Sequence, residues 1–234
     1  MLNPNILNNF FRSEILLKDY SEGDHIDAPA ALPDSSLEFL ISICSQLDVK
    51  NIFEFGSGRS TKALLANNFK VTSLEDDVYW MNKTIETFSE SEIGNHIALV
   101  KPLTTIFLGL FPVLDWKIDN EIAQKISVAD LILVDSPYYT PFRESTLWSA
   151  LMNSKDSIVI LDDTRIPTLR RFCDRISSSN YGLLHSRIKV GHHFDIFYNK
   201  SQTKVRLNHS FIDIIKGWSR YVKGLRFYNK LGVK

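Results

Sequence analysis

The segment Glu54-Phe55-Gly56-Ser57-Gly58-Arg59-Ser60 constrains this chain more than any other stretch. It stands between a short apolar run, Asn51-Ile52-Phe53-Glu54-Phe55, and a segment patterned as a helix over residues 60–67. Two glycines this close let the backbone bend sharply and approach a ligand. A helix starting directly afterwards offers unpaired N–H groups. The next apolar run, Val71-Thr72-Ser73-Leu74, ends at Glu75. That is near the ~20-residue offset at which a carboxylate reaches a pair of ribose hydroxyls. Strand, bend, helix, strand and carboxylate together predict a nucleotide-type ligand at the carboxyl edge of a parallel sheet. The plainer alternative is a tight strand-to-helix turn without a ligand.

The same grammar continues downstream. Ile97-Ala98-Leu99-Val100 reads as a third strand. Ala129-Asp130-Leu131-Ile132-Leu133-Val134 reads as a fourth, ending at Asp135, and Ser157-Ile158-Val159-Ile160-Leu161 as a fifth, ending at Asp162. Helices are expected over residues 79–88 and 167–176. Short, unbroken apolar strands alternating with helices imply an α/β fold whose parallel sheet is buried on both faces. Residues 182–188 and 194–198 are joined by too few residues for a parallel crossover, so that pair should be an antiparallel hairpin. Upstream, Asp34 or Ser35 is expected to cap a helix whose apolar face is Leu37, Phe39, Leu40, Ile43, Cys44 and Leu47, after a turn over residues 28–33. The chain then divides into a helical extension over 1–47, a ligand-binding unit over 48–200 and a basic tail over 201–234.

Charge and cysteine content narrow the function classes. The 234 residues hold 27 basic and 27 acidic side chains, and a net charge of zero argues against a nucleic-acid partner held by bulk electrostatics. The two cysteines, Cys44 and Cys173, cannot build a disulfide framework or a cysteine zinc site. The first residues lack the basic and apolar regions of a secretion signal, and no apolar run approaches the ~20 residues of a membrane span. The expectation is a soluble, cytoplasmic protein.

The tail is different. Lys204, Arg206, Lys216, Arg220, Lys223, Arg226, Lys230 and Lys234 stand there against one acid, Asp213. Phe211, Ile214, Ile215, Trp218, Val222 and Leu225 recur at helical spacing. A basic amphipathic helix over residues 211–230 reads as a membrane-surface or partner-binding element, peripheral at the inner membrane face. The plainer alternative is a terminal helix packed on the core with a solvated basic face, weakened by ~1 kcal/mol at each of Gly217 and Gly224.

Glu54 selects the kind of ligand. A carboxylate just before the glycines would repel a pyrophosphate, at about 1–4 kcal/mol for like charges ~4 Å apart. It would welcome a cationic amino-acid group. Thr61 stands where the third glycine of a dinucleotide fingerprint would be. The loop therefore fits S-adenosylmethionine better than NAD.

At this point the chain resembles the class I S-adenosylmethionine-dependent methyltransferases, over about residues 48–200. The match is carried by residues 54–60, by Leu74-Glu75-Asp76-Asp77, by Asp130-Leu131-Ile132-Leu133-Val134-Asp135 and by residues 158–163. In detail it is similar to a bacterial branch often encoded with polysaccharide-assembly genes, through Val134-Asp135-Ser136-Pro137 with Arg143 and Leu161-Asp162-Asp163-Thr164-Arg165. Ser136 replaces the glycine expected there. The resemblance implies a Rossmann-like seven-stranded sheet, mostly parallel with an antiparallel last strand and helices on both faces. It implies that Glu54 holds the methionine ammonium, directly or through water. Gly56, Ser57, Gly58 and Ser60 would form the loop around the cofactor, and Glu75 would bind the ribose. Asp76, Pro102 and Leu103 would flank the adenine, and Asp135 would sit between cofactor and acceptor.

In an open α/β sheet the chemistry lies beyond the carboxyl ends of the strands. That gathers Asp135, Tyr138, Tyr139, Asp162, Asp163 and Arg165 around one crevice, with Arg143 brought there by the resemblance. Methyl transfer to a hydroxyl or amine needs alignment and removal of a proton, for which Asp135, Asp162 or Asp163 could serve. One of His192 and His193, which point to opposite faces of a strand, could reach the crevice, and His192 is the candidate. Ser136-Pro137-Tyr138-Tyr139 reads as a turn with aromatic packing. The plainer role for Asp162-Asp163 is structural: Asp163 or Thr164 would cap the helix that begins near Pro167.

A second option is a metal: Asp135, Asp162 and Asp163 offer hard oxygen ligands for Mg²⁺. Their positions are similar to those of catechol-type O-methyltransferases, but Asp163 stands where asparagine would be and no lysine follows three residues after Asp135. The leading expectation is O-methylation of a sugar or glycan-type hydroxyl. The alternatives are N-methylation, or an inactive fold serving as a binding scaffold.

Overall fold

Ile52, Phe53 and Phe55 are buried on the two sides of strand β1 (Asn51–Phe55), which is why the strand reads as an unbroken apolar run. The computed structural model of the chain describes residue 10 and residues 32–231. Strand β1 is followed by helix α2 (Arg59–Ala66), β2 (Lys70–Glu75), α3 (Val78–Ile85), α4 (Glu90–Gly94) and β3 (His96–Val100). A two-stranded hairpin, β4 (Thr104–Leu108) and β5 (Phe111–Asp115), comes next. It precedes α5 (Asn120–Ser127), β6 (Leu131–Val134), α6 (Arg143–Asn153), β7 (Ile158–Leu161) and α7 (Pro167–Ser179). The chain closes with β8 (Leu183–Val190), β9 (His192–Asn199) and α8 (Phe211–Leu231); helix α1 (Asp34–Gln46) stands before β1.

The main sheet has seven strands in the order β3-β2-β1-β6-β7-β9-β8. All pairs are parallel up to β7, and β9 runs antiparallel to both β7 and β8. The order reverses at β1, between β2 and β6, so the crevice for a ligand opens at the carboxyl ends of those strands. The expected β8–β9 hairpin is tight: Val190 pairs with His192 across Gly191, whose φ of +64° suits glycine.

Two apolar layers flank the sheet. Leu37, Phe39, Leu40, Ile43 and Cys44 of α1 join Leu64 and Leu65 of α2 on one face. Ile122 and Ile126 of α5, Leu147 and Leu151 of α6, and Phe172, Cys173 and Ile176 of α7 cover the other. Each such side chain contributes about 1.5–3 kcal/mol by leaving water.

The structure corrects two local expectations and adds one element. Helix α1 begins at Asp34 itself, with Pro33 in the capping position and no side-chain cap. Helix α7 is likewise uncapped by Asp163 or Thr164, because Ile166 holds that position and the Thr164 hydroxyl donates to the His193 carbonyl at 3.0 Å. The β4–β5 hairpin is not signalled by the sequence pattern. Its run Ile106-Phe107-Leu108-Gly109-Leu110-Phe111 hides a turn at one glycine (φ +69°), and Pro112 disguises the second strand. The turn expected over residues 28–33 and the helical pattern before it lie largely outside the described residues.

The tail does form a helix, but its apolar stripe is not the face that packs. Gly217 and Gly224 are buried, and a Cβ on either would collide with Phe111 or Phe142. The glycines that weaken α8 thus allow its backbone to lie against the β4–β5 hairpin and the start of α6. Arg175 pairs with Asp213 at 2.5 Å and Arg220 pairs with buried Glu144, tying the helix down at two further points.

Candidate active site

The bend after β1 is built as its glycines require. Gly56 has φ +103° and Gly58 φ +155°, values that side chains rarely adopt. A Cβ on Gly56 would lie 3.0 Å from the Ser136 Cβ, so the bend after β1 touches the turn after β6. The Trp80 indole, from the first turn of α3, donates to the Ser57 carbonyl at 2.8 Å and lies over Gly58. No local pattern in the sequence ties Trp80 to the loop.

Glu75 ends β2 and clamps the bend. Its Oε2 accepts from both the Ser57 backbone N–H and the Ser57 hydroxyl, each at 3.0 Å. Its Oε1 accepts from the Asp76 N–H at 3.0 Å and the Asp77 N–H at 3.4 Å. Those four bonds use the acceptor sites of one carboxylate. Burial, and then the neighbouring charge of Asp76, push the Glu75 carboxyl up to about 7. Burial also raises Asp76.

Glu54 lies on the α2 side of β1 and is 1% exposed. Thr61 donates to it at 2.6 Å, Ser60 donates to its other oxygen, and Ser73 approaches at 3.4 Å. Burial outweighs these bonds and pushes its carboxyl up to about 7. Glu54 therefore stands behind the loop, held by the hydroxyls of Ser60 and Thr61. Pro102 is exposed and Leu103 partly buried in the stretch after β3, where the Lys101 carbonyl accepts from the Trp116 indole at 2.9 Å.

The second half of the site is a charge cluster. The Arg143 guanidinium, buried at the start of α6, lies 3.1 Å from Asp135, 3.2 Å from Asp163 and 3.8 Å from Asp162, measured at one nitrogen. Its Nε donates to the Pro137 carbonyl at 3.2 Å, across a turn whose Ser136–Pro137 bond is cis. Asp163 has φ +62°, a left-handed conformation that Asp tolerates better than most residues and that sets it in the tight turn after β7. Arg165 is more exposed and lies 3.7 Å from Asp163.

His192 enters from the start of β9, its Nδ1 3.0 and 3.1 Å from the two Asp162 oxygens. Burial works against charge at both residues. The mutual hydrogen bond and attraction outweigh it, holding Asp162 below and His192 above their ordinary values. For Asp135, burial prevails over the attraction of Arg143, and its carboxyl lies well above the usual range. Among the described residues His192 Nε2 has no hydrogen-bond partner, which leaves it as the ring's free nitrogen.

Tyr138 and Tyr139, in the turn after β6, pack against the tail. Tyr138 stacks on Phe227 with ring centroids 5.7 Å apart, and the Tyr139 N–H donates to the Tyr228 hydroxyl at 3.3 Å. The sequence gives no sign that Phe227 and Tyr228 belong here, because their place depends on how α8 packs.

Asp162, Asp163 and His192 present oxygen and nitrogen atoms close enough to share an ion. The same carboxylates already face the Arg143 guanidinium, and both Asp162 oxygens are taken by His192. A divalent cation ~2.0–2.6 Å from those oxygens would stand against a fixed positive charge. The residues therefore do not fit a Mg²⁺ site at Asp135, Asp162 and Asp163: the guanidinium already supplies the counter-charge.

This architecture is the Rossmann-like fold of the methyltransferases. The chain is similar to cofactor-bound Rv0187 from MTB, with a TM-score of 0.56 and 12% identity over 74% of this chain and 83% of that one. It is similar to the O-methyltransferase from Bacillus cereus in complex with SAH, with a TM-score of 0.55 and 17% identity over 74% of this chain and 84% of that one. It is also similar to the SAH-bound methyltransferase PaMTH1 from Podospora anserina, with a TM-score of 0.54 and 15% identity over 85% of this chain and 89% of that one. No family model and no curated protein matches the chain.

Proposed function

We propose that the protein is an S-adenosylmethionine-dependent O-methyltransferase acting on a hydroxyl of a sugar or glycan-type acceptor in the cytoplasm. The observation that carries this reading is a pair of half-sites along one edge of the sheet: a glycine bend clamped by Glu75 at the switch point, and beyond β7 an Asp162–His192 pair with a free ring nitrogen. Neighbours of the same fold hold SAH in their crystals, which supports the choice of cofactor.

S-adenosylmethionine supplies an electrophilic methyl group on a sulfonium. The protein's own residues do the rest. Glu75 accepts from the ribose hydroxyls, the Ser57 hydroxyl giving up its bond to make room. When ionised, Glu54 and Glu75 flank the bend with negative charge that favours a cation and opposes a pyrophosphate, and burial raises the pH at which they ionise. Asp76, Pro102 and Leu103 stand beside the adenine. At the acceptor, His192 Nε2 takes the hydroxyl proton while Asp162 holds the ring through Nδ1. Arg143 fixes Asp135, Asp162 and Asp163 in place. Arg165, Asp163 and the exposed ring of Tyr138 offer the mixture of hydrogen-bonding groups and an aromatic face that suits a polyhydroxylated ligand.

The test is His192→Asn. It should lower kcat by about 10²–10⁴ while cofactor affinity stays within about twofold of wild type. Full turnover by His192→Asn would refute the assignment of the base.

A further inference from the structure

We propose that the outward face of α8 docks the protein on an anionic lipid surface. The inference is independent of the catalytic reading above. It starts from the face of the helix that the core does not use. With Gly217, Gly224 and Tyr228 turned inward, Phe211 is 75% exposed, Ile215 55%, Trp218 47% and Val222 44%. These four recur at spacings of four, three and four residues, which is one continuous stripe along a helix. Ile212, also exposed, borders it.

The stripe extends onto the neighbouring hairpin. The Thr105 hydroxyl meets the Tyr221 hydroxyl at 2.8 Å, and Phe107, two residues along β4 on the same face, is exposed. Leu110 is exposed next to Gly109, which abuts His209 just before α8. Apolar side chains from two elements therefore share one side of the molecule.

Charge identifies the occupant. Lys216, Lys223, Arg226 and Lys230 lie at helical positions that flank the stripe on its solvent side. Among the described residues none of the four is paired with a carboxylate, whereas the inward Arg220 pairs with Glu144 and the one acid, Asp213, pairs with Arg175. An apolar stripe bordered by free cations, on a helix held flat against its own protein, matches the boundary between acyl chains and anionic headgroups. No helix among the described residues is long and apolar enough to cross a membrane, so α8 lies on the surface.

Other occupants match less well. A symmetric pair of copies would set the same four cations against each other. A nucleic acid would meet the cations through its phosphates and leave the large apolar side chains in water. Docking through this face also brings the crevice with it, because Phe227 and Tyr228 of the same helix pack on Tyr138 and Tyr139.

Co-sedimentation of the full chain with phosphatidylcholine vesicles, with and without phosphatidylglycerol, tests the proposal. The wild type should pellet with the anionic vesicles at low salt, and much less at high salt. Ile215→Glu/Trp218→Glu should reduce partitioning by about tenfold or more. Replacing Lys216, Lys223, Arg226 and Lys230 by Gln should reduce it by about fivefold per charge. All six residues point away from the core, so circular dichroism melts of both variants should match wild type. Tyr181→Glu, at an exposed residue elsewhere, should leave partitioning unchanged. The proposal fails if the wild type ignores anionic vesicles, or if both variants bind them as wild type does. It also fails if sedimentation velocity shows a dimer that Ile215→Glu/Trp218→Glu dissolves, which would assign the face to a second copy.

Discussion

The two halves of the site neutralise buried carboxylates in opposite ways. Around the glycine bend, Glu54 and Glu75 face hydroxyls and backbone N–H groups, and among the described residues no cation pairs with them. Both carboxyls rise to about 7. In the cluster after β6 and β7, Asp135, Asp162 and Asp163 surround Arg143, and Asp162 also holds His192. The first half lacks positive charge and is suited to receive it from a ligand. The second carries its own cation and is suited to position an acceptor and move a proton.

The contrast is broken most severely at Arg143. Arg143→Ala would leave Asp135 without a cation, and Asp162 and Asp163 with only His192 and the more exposed Arg165; removal of one partner from a buried ion pair costs about 3–5 kcal/mol. Urea denaturation should show a loss of that order, partly restored by adding Asp135→Asn. In the wild type, turnover should be insensitive to EDTA. Loss of activity on chelation, recovered with Mg²⁺, would return the metal to the cluster.

A smaller effect is expected at Glu75. Glu75→Ala removes bonds to a charged acceptor, worth about 1.5–3 kcal/mol, so S-adenosylmethionine affinity should fall roughly 10–100-fold by calorimetry. Turnover at saturating cofactor should change little. An unchanged affinity would remove Glu75 from the ribose.

A further test is stability as a function of pH. Glu54, Glu75 and Asp115 all titrate near 7 in the folded chain, against 4.5, 4.5 and 3.8 ordinarily, in each case chiefly because they are buried. The folded state then holds protons that the unfolded state releases. Their contribution is fully present below about pH 4 and is lost as pH rises through about 7. Without ligand, the melting temperature should decline between about pH 5 and pH 8, and Glu54→Gln should flatten that decline. A melting temperature that rises over this window would contradict the burial of these groups.

The same division governs what the sequence discloses. The glycine bend is made of adjacent residues with conformational needs, so Gly56 and Gly58 are read directly, and Glu75 follows from strand length. Strands buried on both faces announce themselves as apolar runs. Arg143 meets three carboxylates from two other strand ends, an arrangement that no local pattern encodes; only the family resemblance points to it. The inward turn of Glu54 follows from the pleat of β1, which places it opposite Phe53 and Phe55, yet its hydroxyl partners come from α2 and β2. The packing face of α8 is illegible for a different reason: apolar spacing marks an amphipathic helix without saying which side meets the core. There, two glycines outweigh the stripe, because only they permit close packing on Phe111 and Phe142.

Titration calorimetry of the intact protein with S-adenosylmethionine and with NAD, at about pH 6 and about pH 8, addresses the central electrostatic claim. A cation-selecting bend should bind S-adenosylmethionine, more tightly at the higher pH as Glu54 and Glu75 ionise, and should give no heat with NAD. Binding of NAD that strengthens at the lower pH, with none for S-adenosylmethionine, would contradict it.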